Sequence, residues 1–310
     1  MTQEETDKKY MRRCIQLAMN GWQNAKPNPM VGAVLVADGR IIGEGYHVRC
    51  GEGHAEVNCF ASVRPADGAL LRKSTLYVSL EPCSHYGRTP PCADLIIKKG
   101  VPRVVVGCID PFAKVRGRGI RKLQEAGVEV VVGVLEDECR KLNGRFITFN
   151  TACRPYILLK WAQTVDGFLD DHFRPVHIST VFTKMLAHKL RAENDAILVG
   201  RITVERDCPR LDVREWSGRN PRRFVLSSAA SIDRILEECY QEGLQSLIVE
   251  GGRKTLESFM ERDLWDEIRV ETGMLTTGAG TRAPLLPGNL RVIRMENYDG
   301  NEIITYERKS

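Results

Sequence analysis

Apolar residues Met11, Cys14, Ile15 and Ala18 recur at the spacing of one helix face, and Asn20-Gly21 follows as a stop. The chain therefore opens on an amphipathic helix. Two apolar runs, 31–37 and 41–46, then flank Asp38-Gly39, a strong short signal for a β-hairpin. Beyond the hairpin the pattern alternates. It predicts a helix over 54–63, a strand over 75–80, a helix over 92–99 stopped by Gly100, a strand over 103–109, a helix over 119–126 and a strand over 128–134. Such alternation implies α/β layering with parallel strand pairs. A helix over 136–149 follows, and the stretch from Asn150 to Pro155 breaks it. Two domains are expected, 1–150 and 151–310. The second half again alternates: a strand over 156–162, a helix over 182–192, strands over 196–199 and 223–226, a helix over 232–242, strands over 246–250 and 267–272, and two short strands at the end.

Length supports the division, because 310 residues exceed what one typical core organises. Apolar content of 43% and charged content of 27% belong to a globular chain and not to a disordered or fibrous one. No apolar run approaches the ~20 residues a membrane helix needs. The first residues are polar and charged and do not read as a signal peptide. The ten cysteines are thus expected as reduced thiols and metal ligands in a cytoplasmic protein. A net charge of +5 suits phosphorylated small molecules and is weak for a nucleic-acid binder.

The chemistry concentrates in two stretches, His54-Ala55-Glu56 and the run from Glu81-Pro82-Cys83 to Cys92. One imidazole and two thiols favour zinc and leave a fourth tetrahedral position to water. Glu56, two residues after the histidine, is poorly placed as a fourth ligand but can reach that water. A closed structural site would use four protein ligands, whereas an open one beside a carboxylate is built for hydrolysis. Helix N-termini just beyond strand ends are where open α/β sheets place such sites. Cys14, Cys59, Cys108, Cys139 and Cys239 lie in apolar or helical contexts and read as ordinary thiols.

The His-x-Glu and Pro-Cys pair resembles the zinc deaminase signature, except that eight residues separate the cysteines. With Pro27-Asn28-Pro29, Gly43-Glu44-Gly45-Tyr46-His47 and the string Ser84-His85-Tyr86-Gly87-Arg88-Thr89-Pro90-Pro91, the chain resembles the bifunctional riboflavin-biosynthesis deaminase–reductases along nearly its whole length. The resemblance implies a cytidine-deaminase-like three-layer α/β/α domain followed by a dihydrofolate-reductase-like α/β domain. It makes His54, Cys83 and Cys92 zinc ligands and Glu56 the proton shuttle. It also makes Asn28, His47 and His85 substrate contacts, and Arg88 is a candidate for the substrate phosphate. Alone, Asn28 between prolines is as readily a turn residue and His47 a strand-end histidine.

In the second half the resemblance rests on Leu159 to Gly167, Arg191-Ala192, the run Gly200 to Arg214, and Val249-Glu250-Gly251-Gly252. It implies NADPH held by Ala162, Thr203, Asp207, Ser228 and the Gly251-Gly252 turn. It implies a ribosyl-phosphate substrate held by Lys160, Arg191, Leu211, Arg214 and Glu250. Where the family carries a serine and tryptophan, this chain has Val176-His177, which puts His177 beside the cofactor. The interval from Ser228 to Val249 is shorter than the family pattern, implying that a strand and its connection are missing. The implied reaction sequence is hydrolytic deamination of a diaminopyrimidine ribosyl phosphate, then NADPH-dependent reduction of the ribosyl group to ribityl, in a homo-oligomer. Two other readings use the same residues: a deaminase whose second half has lost reduction, and a non-catalytic zinc module. A nucleic-acid deaminase is disfavoured by the modest charge and the long Cys–Cys interval.

Overall fold

The computed structural model describes residues 2–86, 90–111 and 117–309. The chain divides into two compact units, Met1–Ala152 and Cys153–Ser310. The first contains α1 (Gln3–Met19), β1 (Gly32–Ala37), β2 (Arg40–Tyr46), α2 (Ala55–Ala61), a 3-10 helix (Pro65–Lys73), β3 (Thr75–Leu80), α3 (Cys92–Lys99), β4 (Arg103–Cys108), α4 (Arg118–Glu125), β5 (Glu129–Val132), α5 (Glu136–Leu142) and α6 (Gly144–Ala152). The sheet order is β2-β1-β3-β4-β5, with β1 antiparallel to both neighbours and β3, β4 and β5 parallel. Asp38 and Gly39 both have positive φ, the backbone of a tight hairpin turn whose twist matches the strands.

Side chains alternate across this sheet as the strand period requires. Ala33, Leu35, Leu76, Val78, Val104 and Val106 face α2, α3 and α4. Val34, Val36, Tyr77 and Val105 face α1 and Cys139 of α5. Three layers result. Close packing of α2 depends on Gly45 of β2, where a Cβ would lie 2.3 Å from the Cys59 amide nitrogen. The α2 backbone therefore lies directly on the strand, and its N-terminus is set from beneath. The single helix expected over 136–149 is instead two, parted at Asn143. That buried amide donates to the Met30 carbonyl and accepts from the Met30 amide, at 2.9 and 2.8 Å. A long-range pairing replaces helix continuation there.

The second unit contains β6 (Tyr156–Gln163), α7 (Val181–Glu193), β7 (Ala196–Gly200), α8 (Arg201–Asp207), β8 (Arg222–Leu226), α9 (Ile232–Gln241), β9 (Ser246–Val249), α10 (Arg253–Glu261), β10 (Glu267–Thr272), β11 (Leu290–Tyr298) and β12 (Asn301–Arg308). Its sheet runs β11-β12-β10-β6-β9-β7-β8, parallel from β10 to β8 and antiparallel at β11 and β12. Ile157, Leu159, Leu198 and Val249 pack on α9 and α10. Leu158, Ile197, Val199 and Ile248 cover the other face with Leu190 and Val204. Beyond β8 a turn closed by reciprocal Ser227–Ala230 backbone hydrogen bonds leads straight into α9. The two terminal strands, expected to be short, form a hairpin of nine and eight residues.

All ten cysteines are free. No helix among the described residues is long and apolar enough to cross a membrane.

Asp7 ties three elements of the first unit together. Its buried carboxylate accepts from Arg103 Nη1 and Nη2 at 3.0 and 2.8 Å and from the Tyr77 hydroxyl at 2.8 Å. Burial alone would raise its pKa, but the Arg103 and Tyr77 donors hold it below the usual carboxylate value. A depressed folded-state pKa adds stability above the unfolded value that is lost as pH falls through the folded one. Asp7→Asn is expected to cost about 3 kcal/mol at neutral pH, since it leaves Arg103 short of its main partner. In urea denaturation the gap between wild type and variant should narrow on acidification; a gap independent of pH would contradict this account.

Candidate active sites

In the first unit, three elements deliver the predicted ligands to one point. His54 is the N-cap of α2, in extended conformation, so its ring projects from the helix end. Cys83 follows β3, and Cys92 is the first residue of α3. His54 Nδ1 lies 3.5 Å from Cys83 Sγ and 3.3 Å from Cys92 Sγ. All three ligand atoms fall within 4.8 Å of one another, and no other such group of three occurs among the described residues. The Cys92 amide donates to Cys83 Sγ at 3.3 Å, and the Ala93 amide donates to the Cys83 carbonyl at 3.1 Å. The α3 N-terminus thus stabilises a sulfur anion, as an uncapped helix start does. A hydrogen bond from Cys92 and the neighbouring His54 hold the Cys83 thiol down to about 4, while contact with Cys83 and burial push Cys92 up. One nitrogen and two sulfurs form a donor set that fits zinc and leaves a position open.

Glu56 sits one residue into α2, 3% exposed and outside the ligand group. Burial pushes its carboxyl up to about 7, with the Cys83 charge adding to the shift. Asn28 and His47 meet beside this centre. Asn28 Nδ2 is 3.1 Å from His47 Nε2, and His47 Nδ1 is 3.1 Å from the Gly53 carbonyl. One tautomer satisfies both: Nδ1–H donates to Gly53, and Nε2 accepts from Asn28. Burial lowers the His47 pKa, which favours that neutral ring. The His47 and His54 rings stand edge to face at 5.5 Å. His85 is exposed, and Arg88 lies outside the described residues.

Two supporting residues escaped the sequence reasoning. Asn58 donates from its side chain to the Tyr46 and Gly53 carbonyls at 2.8 and 3.1 Å, fixing the turn that precedes His54. Glu81 anchors the end of β3. Neither has a local pattern that announces its partners.

In the second unit, a cavity of about 740 Å³ opens at the C-terminal ends of β6, β7 and β9. Lys160 and Ala162 of β6, Thr203 and Asp207 of α8, and Glu250, Gly251 and Gly252 all line it. Gly251 is required there: a Cβ would lie 2.7 Å from Thr255 Cβ, and one on Gly200 2.5 Å from Thr255 Oγ1. These glycines let the starts of α8 and α10 converge on the cavity, and neither helix start has a side-chain cap. Free amides with Arg201, Arg206, Arg253 and Lys254 on the walls suit a pyrophosphate. Size, glycine cradle and basic lining fit a dinucleotide.

Two residues expected at the cofactor do not line this cavity. His177 is exposed and does not line the cavity, where Pro175 and Val176 stand instead. Ser228 is also exposed, and Ser227 lines the wall. In each case the main chain turns the neighbouring residue inward. Arg191 makes a bidentate pair with Glu250 at 3.2 and 2.7 Å, mostly out of solvent. Burial alone would raise the Glu250 pKa, yet Arg191 and Lys160 hold it below the usual range. Leu211 packs in the core against Leu158, Ile197 and Ile248. Arg214 pairs with Asp212, and its amide donates to His188 Nδ1 at 3.3 Å.

Residues 4–108 match the cytidine and deoxycytidylate deaminase zinc-binding region. Residues 155–235 and 229–299 match the RibD C-terminal domain in two segments that overlap at 229–235. The riboflavin biosynthesis protein RibD of Aquifex aeolicus is 38% identical over 321 residues, covering 89% of each chain. The chain belongs to the RibD family. The RibD of Bacillus amyloliquefaciens is 33% identical over 326 residues, covering 89% of this chain and 86% of the relative. Among solved structures, the diaminohydroxyphosphoribosylaminopyrimidine deaminase/5-amino-6-(5-phosphoribosylamino)uracil reductase of Thermotoga maritima superposes with a TM-score of 0.89 at 33% identity, covering 99% of this chain and 100% of the other. Acinetobacter baumannii RibD gives 0.84 at 26% identity with the same coverage. As in the family, a cytidine-deaminase-like domain precedes a dihydrofolate-reductase-like one. The chain is a bifunctional enzyme of riboflavin biosynthesis that couples a zinc deaminase domain to an NADPH-dependent reductase domain.

Loss of a ligand is expected to cost more metal affinity than the about 10–100-fold that loss of an outer partner does. Purified Cys92→Ser protein should retain well under one zinc per chain by elemental analysis after dialysis. Full zinc content would contradict the ligand set.

Proposed function

We propose that the first unit deaminates 2,5-diamino-6-(5-phosphoribosylamino)pyrimidin-4(3H)-one, and that the second reduces the ribosyl group of the product, 5-amino-6-(5-phosphoribosylamino)uracil, to ribityl. The observation that carries the deaminase step is the buried Glu56 carboxyl, close enough to His54, Cys83 and Cys92 of the three-ligand cluster to interact with each. Zinc bound there supplies an acidified water at neutral pH. Glu56 takes the proton of the attacking water and returns it to the ring nitrogen and the departing ammonia. Proton handling by a positioned carboxylate contributes about 100- to 10,000-fold. Asn28, oriented by His47, holds the polar edge of the pyrimidine. His85 and Arg88, between the two cysteines in sequence, serve the ribosyl-phosphate end.

The second unit contributes orientation and charge. NADPH supplies the reducing equivalent. Ala162, Thr203, Asp207 and the Gly251-Gly252 turn hold the cofactor. Lys160, Arg191, Leu211, Arg214 and Glu250 serve the sugar phosphate, a reading supported by Lys160 and Glu250 lining the cavity and by the pairing of Arg191 with Glu250. The loss of a strand between Ser228 and Val249 leaves this machinery whole, a reading supported by the cavity and its glycine cradle.

The partners are small phosphorylated pyrimidines and not nucleic acid, and the enzyme is cytoplasmic. Self-association is supported by Leu285, Val292 and Met295, which are 81, 50 and 61% exposed on or near the edge strand β11. Apolar groups of that size on an edge strand ask for cover.

Glu56→Gln is expected to keep zinc and to lower ammonia release about 100-fold or more. The same variant, given the deaminated intermediate, should still oxidise NADPH at the wild-type rate, followed by the reduced-nicotinamide absorbance. Unchanged ammonia release would overturn the role of Glu56; a wild-type chain that leaves NADPH untouched would overturn the reductase.

A further inference from the structure

Glu81 stands two residues before Cys83 and takes no part in the ligand cluster. It is 4% exposed, and its carboxylate meets no lysine or arginine among the described residues. Four backbone amides of the described residues surround it instead. Oε2 accepts from Asp110 at 3.3 Å and from Gly117 at 2.9 Å; Oε1 accepts from Gly119 at 2.9 Å and from Ile120 at 3.5 Å. Gly117, Gly119 and Ile120 form the start of α4, which has no capping side chain of its own. Glu81 therefore caps from a neighbouring strand a helix to which it does not belong, where a negative charge is favoured.

The contact is tight as well as charged. A Cβ on Gly119 would lie 1.9 Å from the Pro82 carbonyl oxygen, so α4 rests on the peptide that leads into Cys83. The Glu81 amide also donates to the Cys108 carbonyl at 3.0 Å, fixing the residue at both its backbone and its side chain. On the far side, Cys83 is held by the amides of Cys92 and Ala93 at the start of α3. The three residues Glu81, Pro82 and Cys83 thus bridge two helix N-termini. One receives a carboxylate and the other a cysteine sulfur.

We propose that Glu81 is a positioning residue of the deaminase centre, whose carboxylate anchors the α4 N-terminus so that the Pro82-Cys83 segment aims the Cys83 sulfur at the metal. This rests on His54, Cys83 and Cys92 being the zinc ligands. Removing the anchor lets the segment drift between α3 and α4, and the ligand loosens although no ligand atom has changed. In Glu81→Gln an amide oxygen still accepts from two of the four donors, while its NH2 group opposes the others.

Chelator competition on the full-length Glu81→Gln protein is expected to give zinc binding about tenfold weaker than wild type, at the low end for loss of an outer partner. The cobalt-substituted variant should show displaced ligand-field and sulfur charge-transfer bands. Wild-type affinity and an unchanged cobalt spectrum, with only thermal stability lowered, would reduce Glu81 to a helix cap and overturn the proposal. A second measurement needs no variant. If anchor and ligand are coupled, removing zinc from the wild type must speed hydrogen exchange at the Gly117, Gly119 and Ile120 amides, and unchanged protection there would also overturn it. A wild-type chain that binds no zinc would remove the ligand reading itself, a result distinct from either of these.

Discussion

Three ligand atoms from separate stretches of chain must meet within 4.8 Å, and much of the first unit is arranged around that convergence. The sheet supplies the direction. Its parallel strands β3 and β4 end on the side where α3 and α4 begin, so unpaired helix amides gather at the strand end. Cys83 emerges into that field and is received by the α3 amides, while Glu81 is received by those of α4. His54 arrives at the same sheet end, because β2 runs the same way as β3, as the cap of a helix pressed onto Gly45. The chemistry rests on fixing backbone, because thiolate and imidazole ligands are useful only when their directions are set before the metal arrives.

The second unit uses the same geometric resource for a different purpose. Helix starts after β7 and β9 converge at a cavity, with glycines at both turns. No side chain there needs to become a nucleophile. What the unit provides is a glycine-lined cavity with basic walls and a buried Arg191–Glu250 pair, of which Glu250 lines the cavity and neither charge is left unpaired. Lys160 stands close enough to add to the field on Glu250. A pocket built this way orients two reactants and lets the cofactor carry the reaction.

Much of this was legible in the chain, and the exceptions have physical causes. The strand at Thr75–Leu80 and the helix at Cys92–Lys99 follow from local patterns with clear stops, and the structure has them at those bounds. The ligand cluster was legible because its residue types are rare in combination. Asn143 was not, since a polar residue inside a helical pattern gives no hint that its amide pairs with Met30 more than a hundred positions away. The same holds for Glu81 and Asn58, whose partners are backbone groups brought together only by folding. His177 and Ser228 show another limit: a motif identifies a segment, but the main-chain turn decides which of two neighbours faces inward, here Val176 and Ser227. The terminal hairpin outran its expected length because β12 is recruited by β10, a pairing across which no local signal extends.

The central claim is an open metal site with one nitrogen and two sulfur ligands from the protein. Zinc-edge X-ray absorption on the full-length enzyme tests it most directly, because it counts sulfur against lighter scatterers in the first coordination sphere. The account predicts two sulfurs, one imidazole nitrogen and one further light atom from solvent. A third sulfur, or a second imidazole closing the sphere, would mean a structural site and would contradict it.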